Sequence, residues 1–488
     1  MGGLGREVCR RGAARGAFVV WRAQSRKAWS ASIREGRVER SSVGESSGHG
    51  VHVVGSDGYA ALASRDDFRE DRATGMLERA VAACQRGAEL GLERIELPAV
   101  AAATAREVPA DADSYLGIDL DAVCRRMRAI ETRILGDVPG ANLRLGFHAE
   151  LDAWRVLRSD GTDVLFAMPR TTLTARVSAA GDDGTHGIGV AEHSPRADAP
   201  WDDALAGRFV RRAAQAARLA QALHGAPAHP AGVVPLVIDY ALAKGLAHEA
   251  FGHASEADGF RTSVLARDGR FRCGERVGAN HVSIVDEPVP GDHAWQPWSA
   301  NGVRRERAVL VDGGVLREGL VDLWSAAGAG TRLTGAGRAE SFRHAPAPRM
   351  SNIRIECRDA LPAPGTFEDY GPHEVRDLLD GAGVFRRHPE VSFLSGYAGG
   401  QVNTTVGEFV FQCKAIWRLS RDRAVLHRPA IFSGSMFGAL DSVREAFGPL
   451  RLDALGYCGK WGQSVPSSGG SHWFLVLDPH PDVRLGGR

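Results

Sequence analysis

Apolar residues change their period several times along the chain, and each change marks an element. From Ala17 to Ser64 apolar and polar residues alternate, with REGRVE and GSDGY supplying hairpin-type turns, which predicts a short antiparallel meander. Between Asp67 and Leu90 the period lengthens. Met76, Leu77, Ala80, Val81 and Cys84 fall at helical spacing behind an acidic first turn, which predicts an amphipathic helix over the sheet. The Pro/Ala-rich ELPAVAAATAREVPADAD then closes a first α+β unit spanning 1–100. Helical spacing returns over Asp119–Leu135, alternation follows from Leu143 around an SDGT turn, and Trp201–Leu223 is a long Ala/Arg/Gln/Leu helix stopped by HGAPAHPAG. These elements make a second α+β unit over 110–230. Beyond it VVPLVIDY reads as a buried strand and Leu242–His253 as a helix. From Phe260 the chain is turn-rich, with short strands and glycine clusters around Gly396, Gly434 and Gly469. The predicted fold class is α+β: N-terminal antiparallel sheet units with covering helices, followed by a largely β C-terminal catalytic domain over 231–488 that carries the His248–His253 helix.

Composition narrows the function. A length of 488 residues suggests several domains, and 44% hydrophobic with 24% charged residues is ordinary for a globular protein. Lys plus Arg number 60 and Asp plus Glu 59, so no electrostatic footprint calls for a nucleic acid or an anionic membrane. The seven cysteines are scattered and contain no CxxC pair, which argues against a disulfide framework and for the cytoplasm. No apolar run reaches eighteen residues. The Arg-rich start imitates a transit peptide, but AFVVW inside it reads as the first strand, so the residues before it are expected to be that strand's lead-in.

The chemistry concentrates in LAHEAFGH, where His248 and His253 stand five residues apart with Glu249 beside the first. Zinc-protease helices place two histidines at i and i+4. At i and i+5 a regular α-helix turns the side chains roughly 140° apart, so one metal could not take both. A π-bulge, eased by Gly252, would return them to one face. A catalytic zinc needs a third protein ligand. By residue type the candidates are Glu256, Asp258, Cys273, His281 and Cys458, and spacing does not choose among them. His281, His293 and His373 have no motif support, and Cys273, Cys357 and Cys413 read as core thiols.

LAHEAFGH, GAGRAESFRHAPAPRMSNIRI, GYAGGQVNTTVGEFVFQ and GYCGKWGQSVPSSGG together resemble the TldD/PmbA family of metalloproteases, on its TldD side. The resemblance implies zinc, one per chain, held by His248, His253 and Cys458, with Glu249 as the catalytic base of peptide-bond hydrolysis. Glycine-lined segments at GYAGGQV and SSGGS suggest a peptide path, with Gly399, Gly400, Gln401, Tyr397, His344 and Arg349 as candidate substrate-binding residues. Tyr397, His344 and Arg349 are also the candidate oxyanion donors. Two departures, Ala398 in the glycine run and Ser467-Ser468 after the VP pair, bear on that path. The family further implies unfolded or flexible peptides as substrates, and a homodimer or a heterodimer with a TldE/PmbA-like chain. The rival reading is a non-catalytic zinc-containing subunit that acts as scaffold or partner.

Overall fold

A computed structural model of the chain describes residues 2–181 and 184–486. The alternating N-terminal segment forms two long strands, Phe18–Arg34 and Arg37–Val54, and a shorter one, Ala60–Arg65. Glu35 and Gly36 turn the first pair, both with positive φ (51 and 71), as a two-residue hairpin turn matched to strand twist requires. Phe18–Arg34 also pairs on its other edge with Asn142–Arg158, from Val20 opposite Arg158 to Arg34 opposite Arg144. The strand pairs expected in two separate units therefore lie in one seven-stranded sheet. Length explains the union: a strand of 17 residues is roughly 55 Å long, and its full second edge is available to the later hairpin.

Alternation sends successive residues of Phe18–Arg34 to opposite faces. Val19 and Trp21 pack on the helix Gly2–Ala13, in one core cluster with Glu70–Gln85, while Trp29 and Ile33 pack on Leu120–Asp137, in one core cluster with Asp203–Ala222. The opposite face meets the C-terminal domain. There Val20 clusters with Trp298 and Ala339, Arg22 donates to the His344 carbonyl at 3.0 Å, and Arg26 to the Glu340 carbonyl at 2.7 Å.

The Gly2–Ala13 helix replaces the predicted lead-in. Four glycines in twelve residues oppose a helix on propensity. They also let it dock closely, since a Cβ at Gly5 would meet Trp21 and Leu157, and one at Gly12 would meet Val19.

The C-terminal domain is built on a thirteen-stranded sheet. Near its middle runs Leu236–Asp239, buried along its whole length. It pairs parallel with Ser392–Leu394 and antiparallel with Phe474–Leu477. The hairpin Gly456–Lys460 folds back on the start of Gln463–Leu477, with Cys458 opposite Val465. Ser467–Ser471 lies wholly buried in this sheet. A Cβ at Gly469 would strike the Ile353 carbonyl, and one at Gly470 the Arg451 carbonyl. The buried SSGGS glycines thus serve the close approach of strands.

Candidate metal centre

Asp239 ends the central strand and starts the next helix. Its carboxylate accepts the Ala241 and Leu242 N–H groups at 3.1 and 2.9 Å, an N-cap arrangement. The same carboxylate accepts the Gly396 N–H at 2.6 Å and the Ser395 hydroxyl at 3.2 Å, which pins the helix start to the Glu390–Asn403 strand. The helix is α over Tyr240–Gly245, widens to π over Leu246–Gly252 and tightens to a 3₁₀ turn over His253–Ser255. The His253 N–H bonds to the His248 carbonyl, an i to i+5 link. That link puts the two histidines on one face, with ring centroids 5.1 Å apart and planes at 90°.

Gly252 has ordinary helical backbone, φ −59 and ψ −58. Its role is to lack a side chain, because a Cβ would collide with Met350 Sδ. Gly245 leaves room for the Tyr397 ring in the same way.

Across from the helix, the Gly456–Lys460 strand brings in Cys458, whose Sγ lies 3.5 Å from His253 Nε2. One donor atom from each of His248, His253 and Cys458 lies within 4.8 Å of the other two. Among the described residues this is the only group of three or more His, Cys, Asp or Glu donors placed to hold a metal. Glu256, Asp258, Cys273 and His281 stay outside it. Glu256 Oε2 sits behind the second ring, 3.1 Å from His253 Nδ1, and both Glu256 and Asp258 accept from Lys460 Nζ at 2.7 Å. Cys273 is exposed, its Sγ 3.1 Å from the Arg317 carbonyl, so it is no core thiol. Cys357 and Cys413 are buried as expected.

The electrostatics suit a cation. Burial, with Lys244 and His253 nearby, holds His248 well below its ordinary pKa, which leaves a neutral ring. Its Nδ1 is buried with no hydrogen-bond partner among the described residues. Burial opposes charge on His253, yet Glu256 and the Cys458 contact hold its pKa well above the usual range. Burial would likewise raise the Cys458 thiol, but the hydrogen bond with His253 and that ring's charge bring it below its ordinary value. Two imidazoles and a thiolate-favouring cysteine are a donor set that fits zinc.

Glu249 stands at the open side, with 21% of its side chain exposed. Its Oε2 is 3.8 Å from His253 Nε2, and its Oε1 accepts the Tyr397 hydroxyl at 3.2 Å. Burial, then the Glu249 charge, pushes Tyr397 up, so its phenol keeps its proton. Arg349 is buried and donates to the Cys458 carbonyl, which bolts the cysteine strand in place. His344 lies in the turn that meets the N-terminal sheet, bonded to Ser341 at 2.9 Å.

Gly399 has φ 123 beside a bulge in the strand, a conformation that only glycine adopts readily. Gly400 faces Phe411 of the neighbouring strand, and Gln401 is exposed. From residue 395 to 403 the second edge of this strand has no strand partner among the described residues. A groove of about 790 Å³ opens there, with Tyr397 and Gly399 on one wall and Leu145, Thr174 and Gly189 of the N-terminal sheet on the other.

Sequence reasoning missed Lys244 and Lys460. Lys244 is buried four residues before His248, and its Nζ donates to Ser467 Oγ at 3.3 Å. Each carried a positional signal. Lys244 precedes a ligand candidate by one helical turn, and Lys460 follows Cys458 by one strand period.

The comparisons agree with this architecture. The family model described as PmbA/TldA metallopeptidase C-terminal domain matches residues 231–460, and the model described as PmbA/TldA metallopeptidase domain 1 matches residues 22–84. The chain belongs to the PmbA/TldD family. It is 32% identical over 266 residues to a metalloprotease of Methanocaldococcus jannaschii, covering 54% of this chain and 53% of that protein. It is 30% identical over 264 residues to the metalloprotease TldD homolog of Haemophilus influenzae, covering 53% and 50%. The chain thus spans about half the length of the curated relatives it matches. The crystal structure of TldE from Thermococcus kodakarensis shares the fold over 99% of this chain and 100% of its own, with a TM-score of 0.76 at 15% identity.

Proposed function

We propose that this protein is a zinc-dependent peptidase that cuts unfolded or flexible peptides. The observation that carries the reading is the convergence of His248, His253 and Cys458 donors within 4.8 Å, with the Glu249 carboxylate beside them on the open side. His248, His253 and Cys458 would hold one zinc per chain. Zinc supplies Lewis-acid polarisation of the scissile carbonyl and acidifies water next to it. Glu249 takes the proton from the attacking water and returns it to the leaving amine. Tyr397 orients the Glu249 carboxylate through its hydroxyl. Arg349 has its guanidinium on the Cys458 carbonyl, which supports a positioning role.

An extended peptide would enter along the groove and add to the unpaired edge beyond Ser395, held mainly by main-chain hydrogen bonds. The active chain would pair with itself or with a TldE-like partner. Seven unpaired cysteines favour a reducing compartment, the cytoplasm. The scaffold reading is less favoured because Glu249 stands where a base is needed and no fourth protein donor completes the cluster among the described residues.

The test is metal analysis of the purified protein together with cleavage of an unstructured peptide before and after chelation. One zinc per chain and activity lost on chelation and regained with zinc are expected. A protein that holds zinc but cuts no peptide, alone or with a partner, would return the scaffold reading.

A further inference from the structure

We infer that Lys460 is a positioning residue of the metal centre: its ammonium bridges Glu256 and Asp258 and so locks the Cys458 hairpin to the end of the histidine helix. The inference rests on the ligand assignment above. The three candidate ligands come from two elements about two hundred residues apart in sequence, so any slip between hairpin and helix would open the cluster. The hairpin is otherwise lightly held on that side. Among the described residues its strand pairs only with Gln463–Ser467, and its turn is exposed, with Trp461 at 64% accessibility and φ 52. Gln463 and Ser464 anchor the return strand to Ala345 and Glu340, and Arg349 holds the Cys458 carbonyl. Lys460 alone among these ties the hairpin to the segment that follows His253.

The tie is also connected to a ligand. Glu256 Oε2 takes Lys460 Nζ at 2.7 Å and lies 3.1 Å from His253 Nδ1, so ammonium, carboxylate and imidazole form a chain ending at the ring whose other nitrogen faces Cys458. A carboxylate on the far nitrogen fixes the ring's tautomer and orientation. Cys458 and Lys460 lie two residues apart on one strand and therefore point to the same side. Glu256 is 2% exposed, and among the described residues Asp258 has no other cation within 4 Å. One oxygen of each carboxylate is buried without a hydrogen-bond partner among the described residues. Loss of the ammonium would leave a buried carboxylate and a partly buried one without their shared cation.

The experiment measures zinc affinity by chelator competition in the full chain, for the parent, Lys460→Gln and Lys460→Arg. Lys460→Gln should bind zinc about 10 to 100-fold more weakly, as expected when a group supporting a ligand is removed. Lys460→Arg should return to within a few-fold, because a guanidinium can span two carboxylates. With cobalt in place of zinc, the thiolate-to-metal absorption should weaken in Lys460→Gln and reappear in Lys460→Arg. Parent-like affinity and cobalt spectrum in Lys460→Gln would overturn the inference, and so would an equal loss in both variants. If Lys460→Gln does not fold, Asp258→Asn decides: removing one anchor should weaken zinc several-fold, and unchanged affinity overturns the proposal. A parent chain that binds no zinc would instead defeat the ligand assignment itself, an outcome separate from the others.

Discussion

Cys458 has the most demanding position of any side chain in the centre, since it comes from a strand about two hundred residues beyond the histidines and still reaches 3.5 Å from His253 Nε2. If it is a ligand, Cys458→Ser should lower zinc affinity by more than about 100-fold, because losing a ligand costs more than the roughly 10 to 100-fold of losing its support. Chelator competition reads this directly. Parent affinity in Cys458→Ser, together with loss in Glu256→Gln, would move the ligand to the near carboxylate. Tyr397 tests a different function. Its hydroxyl meets Glu249 and not the donors, so Tyr397→Phe should keep zinc and lower kcat by about 10 to 100-fold, the worth of a hydrogen bond to a charged group. An unchanged kcat would free Tyr397 of any part in orienting the base.

The π segment is the element on which the centre depends. It turns a spacing that an α-helix would splay into a shared face, and its packing leaves no room for a side chain at residue 252. Gly252→Ala should therefore cost about 1 to 3 kcal/mol by overpacking against Met350, measured by denaturant unfolding. Met350→Ala in the same chain should recover part of that loss, since the two sites touch. Sequence periodicity located the three long helices to within a few residues, as Glu70–Gln85, Leu120–Asp137 and Asp203–Ala222 show. It failed at Gly2–Ala13, where close docking outweighs the poor propensity of glycine. It also failed to join the two N-terminal units, because pairing between Phe18–Arg34 and Asn142–Arg158 is a contact between distant segments and leaves no local trace. The histidine motif raised the π turn as a question that only backbone geometry could answer. Lys460 stayed hidden for the same reason as the joined sheet: its partners lie two hundred residues earlier.

At the scale of the whole molecule, one face of the N-terminal sheet lies on the C-terminal domain, and a groove runs between the two beside Tyr397 and Gly399. On the proposed function, an extended segment would enter such a groove and a compact domain would not. A protein whose fold is held by a ligand should therefore be cut slowly with that ligand and faster without it, since its domain must otherwise unfold against about 5 to 15 kcal/mol. Gel analysis of the fragments would follow the rates. Equal rates in both states, at sites buried in the folded form, would indicate an open cleft instead.

The proposed peptidase activity depends on Glu249 acting as the base beside a zinc held by His248, His253 and Cys458. The most direct test is the rate at which Glu249→Gln, loaded with one zinc per chain, hydrolyses an unstructured peptide. The amide keeps the shape and loses the base, so the rate should fall by about 10² to 10⁴-fold with zinc content unchanged. A parent-like rate in the loaded variant would contradict the account.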